Sequence, residues 1–211
     1  VIKATRPGKE YGPSRNIIVR DCVLETQDSG LKIGTETVSD IHDILFERCE
    51  IRTSSRGLTI QLRDEGNVYN VTFRDIQFTS RYYSDPWWGR GEAISFTAIP
   101  RTNSIMPGCM SNIVVQNVRG RAENSIRING TKESRIRDVR FENVSVKFER
   151  WMLDSVPPPT YSRAYPFKGN VDRWQEFEFV APTRPVRTTV VVSDSVRSGK
   201  GISGARRWSI W

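Results

Sequence analysis

Short segments in which apolar and polar residues alternate recur through residues 1–149. Five of them share one pattern, which is Asn or Asp, apolar, any residue, apolar, two polar residues, apolar. They start at Asn16, Asp43, Asn70, Asn112 and Asp138, at intervals of 27, 27, 42 and 26 residues. Because self-similarity at such a period is typical of stacked repeats, we predict a repeat protein.

A second kind of short strand lies between these segments, with apolar residues on one face only. It occupies residues 30–33, 57–60, 93–96 and 125–128, and residues 1–4 look like part of one more. No pattern of helical period and helical length separates the strands, which argues against leucine-rich repeats and βαβ units. The predicted fold is therefore all-β, a right-handed parallel β-helix over residues 1–149.

Residues one repeat apart should lie on top of each other in such a stack. Three columns of small or polar residues are expected to face outward and to line a groove. The columns are Gly30, Gly57, Ala93 and Ser125; Lys32, Thr59, Ser95 and Arg127; and Gly34, Gln61, Thr97 and Asn129.

The longer interval of 42 residues indicates inserted loops at 79–91 and 100–110. Insertions in repeat proteins collect on one face, which is often the binding face. The first loop contains Trp87, Trp88 and Arg90, so we expect it to form an aromatic and basic rim of the groove.

The repeat pattern stops after Arg150, and residues 150–211 are rich in Pro, Trp and Arg. A cap, a partner-binding arm, disorder and non-native residues from a shifted reading frame all fit this segment. We favour a poorly packed, partly irregular tail, with one plausible strand at residues 187–192.

The net charge of +8 at first suggests nucleic-acid binding. Residues 1–149 contribute only +3 of it, with both signs interspersed, so we expect no nucleic-acid partner. No apolar run approaches the ~20 residues that span a bilayer, so we expect no membrane insertion. A single histidine excludes a histidine-rich metal site, and we expect neither a metal nor a cofactor.

Cys22 and Cys49 occupy the same position in successive repeats and should be close neighbours. They fit either two buried thiols or a disulfide, which requires a secreted protein and suitable geometry. Cys109 has no partner by pattern.

The residues around the predicted groove combine cations and carboxylates. Lys32 and Arg63 would favour an anionic polymer, and Asp28, Glu36, Asp64 and Glu92 supply the carboxyl groups that glycoside hydrolysis needs. Together with aromatic rings that stack on sugar faces, these residues predict an anionic polysaccharide as the ligand.

Three stretches carry a family resemblance: Asp28-Ser-Gly-Leu-Lys-Ile-Gly-Thr-Glu36, Arg56-Gly-Leu-Thr-Ile-Gln61 and the Asn-led segments such as Asn70-Val-Thr-Phe-Arg-Asp75. They resemble the family-28 glycoside hydrolases, the polygalacturonase group. The resemblance implies a right-handed parallel β-helix and inverting hydrolysis of pectin. It also implies that paired catalytic aspartates precede Val1, so the chain is expected to be the C-terminal part of the protein.

The sequence departs from the family at two places. Ser29 stands where the family has histidine, and Thr59-Ile-Gln61 replaces a basic Arg-Ile-Lys. Lys32, one repeat away, could supply the replacement charge. Asp28, Ser29 and Glu36 remain candidates for catalysis. Substrate-binding candidates are Lys32, Thr59, Gln61, Arg63, Asp64, Trp87, Trp88, Arg90 and Glu92.

We therefore predict a monomeric, extracellular or periplasmic glycoside hydrolase that acts on a plant-type galacturonan or rhamnogalacturonan. A polysaccharide lyase on the same fold, with a basic residue as the base and usually calcium, is one alternative. A non-catalytic carbohydrate-binding module is the other, since Ser29, Thr59 and Gln61 lack the chemistry of the family.

Overall fold

The computed structural model describes residues 1–83 and 88–148, together with two short strands at 177–180 and 186–188. Within these residues the structure is mostly β-strand, with one 3₁₀ turn at Lys9–Tyr11. The first twelve strands are β1 (Ile2–Ala4), β2 (Ser14–Arg20), β3 (Val23–Glu25), β4 (Ser29–Thr37), β5 (Ile41–Glu47), β6 (Glu50–Ser54), β7 (Arg56–Leu62), β8 (Val68–Ser80), β9 (Glu92–Ala98), β10 (Met110–Ala122), β11 (Arg127–Asn129) and β12 (Ile136–Phe148). The predicted all-β class is confirmed.

The strands form two sheets, and successive repeats contribute to both. One sheet has the order β1-β4-β7-β9-β11, and the other runs from β12 through β10, β8 and β5 to β2, with β3 and β6 beside it. Every pairing among these twelve strands is parallel. The predicted parallel pairing of residues one repeat apart is therefore confirmed.

The five Asn-led or Asp-led segments lie in β2, β5, β8, β10 and β12, and each leading residue marks a bend. Asn70 and its four equivalents all have left-handed backbone, with φ between 52° and 56°. Asn and Asp tolerate this conformation better than other non-glycine residues. The side chains also form a ladder, because Asn70 Nδ2 donates to Asp43 Oδ1 (2.9 Å) and Asn112 Nδ2 donates to Asn70 Oδ1 (2.8 Å).

A second bend follows five residues later in each of these segments. Asp75 Oδ1 accepts from Asn117 Nδ2, and Asn117 Oδ1 accepts from Asn143 Nδ2, both at 2.9 Å. One repeat before Asp75, the equivalent residue is Arg48, which also has left-handed backbone. The Arg48 side chain donates two hydrogen bonds to Asp21, at 2.7 and 2.9 Å. These two ladders hold the repeats in register at the same two points of each turn.

The core lies between the two sheets and is built from columns of apolar side chains. Phe46 stacks on Phe73 with ring centroids 4.9 Å apart, and Phe73 stacks on Phe96 at 5.8 Å. Each of these rings is almost fully buried. Burial of one such side chain stabilises the fold by about 1.5–3 kcal/mol.

One predicted outward column points inward instead. A side chain at Gly57 would lie 2.7 Å from Phe78 Cδ2, one at Gly30 would lie 2.6 Å from Ile51 Cγ2, and Ala93 is fully buried in the core. Small residues are needed here because Ile51 and Phe78 fill the space from the opposite sheet. The expectation that this column lines a surface groove is therefore wrong for Gly30, Gly57 and Ala93.

Two further strands lie beyond residue 149. β13 (Phe177–Val180) and β14 (Val186–Thr188) both pair antiparallel with β12. The predicted strand at 187–192 overlaps β14 only at its beginning, and the remainder of that prediction lies outside the described residues.

Candidate functional site

The outer face of the five-stranded sheet carries the predicted polar row. Lys32 pairs in register with Thr59, Thr59 with Ser95, and Ser95 with Arg127. The neighbouring row of Gly34, Gln61, Thr97 and Asn129 is also in register. Repeat spacing alone was sufficient to predict both rows.

The middle of the polar row is covered rather than open. Thr59 is 0% exposed and Ser95 is 2% exposed, so no open trough passes over them. The hydroxyl of Thr59 has no hydrogen-bond partner among the described residues. The accessible part of this face lies to the side of Thr59, around Lys32 and the ends of β1 and β4.

Lys32 and Asp28 form an ion pair at the start of β4, with Nζ 3.5 Å from Oδ2. Burial lowers the pKa of the Lys32 ammonium, Asp28 opposes this effect, and the nearby cations Arg56 and Lys3 add to it. Ser29 is buried, and its hydroxyl donates to Asp28 Oδ1 at 3.4 Å. Ser29 therefore orients Asp28, whose side chain remains 43% exposed.

Arg56 lies in register with Ser29 and with Glu92 on the adjacent strands. Its Nε is 3.3 Å from Glu92 Oε2, and both side chains are buried. Arg56 also donates to the carbonyl oxygen of Trp88, and Glu92 Oε2 accepts from the Arg90 N–H at 2.6 Å. Glu92, a predicted substrate ligand, is thus held inside the protein, where it anchors the end of the first insertion.

Sequence reasoning missed Arg56 as a member of this cluster. Neither its Nε nor its Nη1 has a hydrogen-bond partner among the described residues, so the contact with Glu92 is an ion pair without a hydrogen bond. The sequence could have indicated Arg56 by its position, because it is equivalent to Ser29 in the repeat before and to Glu92 in the repeat after.

An open cleft of about 430 Å³ lies where β4 and β7 end. It is lined by Thr5, Arg6, Pro7, Glu36, Val38, Asp64 and Arg101. We call it the Arg101 cleft. It brings together two of the predicted carboxylates, Glu36 and Asp64, and adds two arginines that sequence reasoning had not assigned to the site.

Asp64 forms the floor of the Arg101 cleft. Its Oδ2 accepts from the Thr37 N–H at 3.0 Å, and Arg101 donates to Oδ1 at 3.1 Å and to Oδ2 at 3.2 Å. Burial alone would raise the pKa of the Asp64 carboxyl, but the hydrogen bonds from Arg101 and Thr37 outweigh burial and the pKa is lowered. Asp64 is therefore a buried, ionised carboxylate that fixes Arg101.

Glu36 lies at the far end of β4 and is half-exposed. Its Oε1 is 3.7 Å from Lys3 Nζ, and Lys3 is also near enough to Lys32 to lower the pKa of that lysine. Arg6 completes the arrangement by donating to both carboxylate oxygens of Glu65, at 3.2 and 3.3 Å.

Four ion pairs lie in this region, two beside β1 and β4 and two in the loops that follow β1, β7 and β9. They are Lys32–Asp28, Lys3–Glu36, Arg6–Glu65 and Arg101–Asp64. We call the four basic residues the cationic strip. Arg63, another predicted ligand, joins the same region through its backbone N–H, which donates to Thr37 Oγ1 at 3.1 Å.

The rim of the first insertion is only partly described. Trp88 is 66% exposed, and the Arg90 guanidinium lies 5.6 Å from the centre of the Tyr82 ring. Trp87, predicted as a substrate ligand, and Asp85 lie outside the described residues.

A second groove of about 350 Å³ lies on the other sheet. Its outward side chains include Arg52, Gln77, Arg119 and Arg121, with Glu50 3.6 Å from Arg52. It is a competing location for an anionic ligand.

Within the described ranges, no three His, Cys, Asp or Glu side chains converge in an arrangement that could hold a metal ion. In the same ranges, no helix has the length and apolar character needed to cross a membrane. No protein-family model, no curated protein and no solved structure matches the chain.

Proposed function

We propose that this protein is a right-handed parallel β-helix that binds an anionic polysaccharide of the pectin type, as part of a glycoside hydrolase. The observation that carries the proposal is the group of four ion pairs beside β1 and β4 and in the loops that follow β1, β7 and β9. The handedness follows the general rule that crossovers between parallel strands of one sheet are right-handed.

The cationic strip suits a polymer with one carboxylate on each sugar. The Lys32 ammonium has three N–H donors, and Asp28 is close to it on one side only. A uronate carboxylate can therefore bind the same ammonium. Arg101 offers a rigid guanidinium whose orientation Asp64 fixes. The four cations are spread over β1, β4 and two loops, which favours an extended chain over a compact ligand.

Asp28 and Glu36 cannot form an acid–base pair with each other. Asp28 immediately precedes β4 and Glu36 lies near its end, and residues 29–33 between them alone span about 13 Å at the usual rise of ~3.3 Å per residue. Inverting hydrolysis needs two carboxyl groups about 6.5–9.5 Å apart. Any catalytic pair that includes either residue must therefore recruit another carboxylate.

In the proposed enzyme, the paired catalytic aspartates that the resemblance implies would come ahead of Val1. Because Ile2 pairs with Ile33, a chain entering β1 would pass beside Leu31 and Lys32. Catalytic aspartates there would lie next to the Lys32–Asp28 pair, where a bound uronate would be held. In the inverting mechanism one carboxyl group protonates the leaving oxygen and the other activates water.

The test is the release of reducing ends from polygalacturonate and from rhamnogalacturonan. It should be run on this chain and on a form extended upstream of Val1 according to its coding sequence. Hydrolysis without unsaturated products supports the proposal. An extended form that binds neither polymer and cleaves no uronate polysaccharide would contradict it.

A lyase is the second candidate, and the burial of Lys32 is the observation that favours it. Burial lowers the pKa of this lysine, which is what a lysine acting as a base requires. Ultraviolet absorbance from unsaturated sugar products, dependent on Lys32, would select the lyase. Binding without turnover in the extended form would instead select a non-catalytic module.

A further inference from the structure

Cys22 and Cys49 occupy equivalent places in two adjacent repeats. Each follows a left-handed residue, Asp21 (φ 57°) for Cys22 and Arg48 (φ 49°) for Cys49. The strands around them are in parallel register, since Arg20 pairs with Glu47 before the cysteines and Val23 pairs with Glu50 after them. Cys22 therefore lies directly beside Cys49.

Two features hold the two backbones together at this point. The Arg48 guanidinium donates two hydrogen bonds to the Asp21 carboxylate. The Glu50 N–H donates to the Cys22 carbonyl oxygen at 2.9 Å. Neighbouring strands lie about 4.7–4.9 Å apart, and disulfides join Cα atoms that are about 4.4–6.8 Å apart. The backbone spacing already suits a covalent bond.

The two side chains have equivalent orientations, since Cys22 Sγ donates to the Arg20 carbonyl oxygen at 3.2 Å and Cys49 Sγ donates to the Glu47 carbonyl oxygen at 3.3 Å. The Cys49 thiol reaches across to strand β2, where its Sγ lies 3.9 Å from the Val19 carbonyl oxygen. Burial raises the pKa of Cys49, and the Cys22 thiol beside it influences the same pKa through hydrogen bonding and charge. All three cysteines of the chain are free thiols in this structure.

We infer that Cys22 and Cys49 are an oxidation site, at which a disulfide forms across the first two described repeats. The difference in exposure sets the order of the reaction, because Cys22 is partly exposed on the edge strand side of the sheet and Cys49 is buried. Cys22 meets the oxidant first, and Cys49 resolves the intermediate.

The oxidant is a small-molecule disulfide such as oxidised glutathione. The Cys22 thiolate attacks one of its sulfur atoms, which forms a mixed disulfide and releases one glutathione thiolate. Cys49 then loses its proton to water and attacks Cys22 Sγ, which releases the second glutathione thiolate. The two cysteines lose two electrons, and oxidised glutathione gains them as it becomes two thiols.

The site is independent of the polysaccharide proposal, because it lies on the nine-stranded sheet. Cys109 provides an internal control. It lies beside Asn67, whose Oδ1 accepts from the Cys109 N–H at 2.9 Å, and its place in the neighbouring repeats is not taken by cysteine.

The experiment treats the folded full chain with oxidised glutathione, blocks remaining thiols by alkylation in denaturant, and maps the peptides by mass spectrometry. We expect a peptide linking Cys22 to Cys49, and alkylation or glutathionylation of Cys109. In Cys49→Ala, Cys22 should stop as the mixed disulfide. In Cys22→Ala, Cys49 should remain unmodified.

A circular-dichroism comparison before treatment establishes that both variants keep the β-sheet spectrum. The outcome that overturns the inference is a folded chain in which Cys22 and Cys49 are both recovered as alkylated thiols, or as two separate glutathione adducts. Linkage of either residue to Cys109 would overturn it equally.

Discussion

The ammonium nitrogen of Lys32 lies 3.5 Å from Oδ2 of Asp28, four residues earlier in the chain. Lys32 is mostly buried, whereas Asp28 is open to solvent on one side. The pair therefore presents a partly desolvated cation whose counterion can be exchanged. Such a cation attracts an incoming carboxylate more strongly than a fully hydrated lysine does.

Replacement of Lys32 by glutamine should weaken the binding of oligogalacturonates about tenfold or more, since a charge-assisted hydrogen bond contributes about 1.5–3 kcal/mol. Isothermal titration calorimetry at two salt concentrations measures the effect. Lys147→Gln, on the nine-stranded sheet, is the matched control and should bind as the unaltered chain does. Equal losses in both variants would show that Lys32 contributes only general positive charge.

The Asp64–Arg101 pair should make the fold sensitive to acid. The pKa of Asp64 is lower in the folded protein than in the unfolded chain. Its stabilising effect is therefore complete above the unfolded value near 4, and it is lost as the pH falls through the folded pKa.

The Asp64→Asn variant should lose about 2 kcal/mol near neutral pH, where the charged hydrogen bonds disappear. Its stability should also change less between neutral pH and acid. Urea denaturation followed by fluorescence at several pH values checks both effects. Glu25→Gln, exposed on β3 in the other sheet, makes the same charge change away from the cleft. If Asp64→Asn lowered the free energy of unfolding by the same amount at every pH, the link between Asp64 ionisation and stability would be disproved.

Asn70 stabilises the repeat in two separable ways. Its side chain bonds to both Asp43 and Asn112, and its backbone has φ 53°. Both Asn70→Gly and Asn70→Ala remove these hydrogen bonds, but alanine keeps a Cβ in left-handed backbone without the polar side chain that makes asparagine tolerant of it, whereas glycine has no Cβ. We expect losses of about 1–2 kcal/mol for glycine and about 1 kcal/mol more for alanine. Urea denaturation measures both stabilities, provided that the dependence on denaturant has the same slope in both variants. Equal losses of stability in the glycine and alanine variants would show that left-handed backbone strain does not contribute.

Gly120 and Phe78 should be energetically coupled. A Cβ at position 120 would lie 2.1 Å from Phe78 Cζ, because the ring fills the inward space beside Gly120. Gly120→Ala should cost about 1–3 kcal/mol through overpacking. Phe78→Leu in the same chain should recover part of this loss.

A double-mutant cycle in thermal or urea unfolding measures the coupling between positions 78 and 120. Gly8→Ala is the control, since the nearest atom to a Cβ there is Thr5 Oγ1 at 3.2 Å. Strict additivity of the Gly120 and Phe78 substitutions would contradict the packing explanation.

The fold class and the register of the strands could be predicted because the repeat is visible in the amino-acid sequence. Asn70 and Asp43 occupy the same place in a 27-residue period, and parallel pairing follows from that spacing. Lys32 beside Thr59 was predicted in the same way.

The exposure of those residues could not be predicted, because it depends on contacts outside the repeat. Thr59 alternates with apolar residues, yet it is buried, and Glu92 is held by Arg56 instead of facing solvent. The inward direction of Gly57 depends on the size of Phe78 in the opposite sheet. The Arg101 cleft joins β4, β7 and the second insertion, which no single period connects.

Mapping a bound oligogalacturonate by hydrogen–deuterium exchange tests most directly whether the cationic strip is the ligand site. We predict slower exchange in β1, in β4 and around Arg101, with loss of that protection in Lys32→Gln. Protection confined to the groove around Arg52, Arg119 and Arg121, or no protection at saturating ligand, would contradict the assignment.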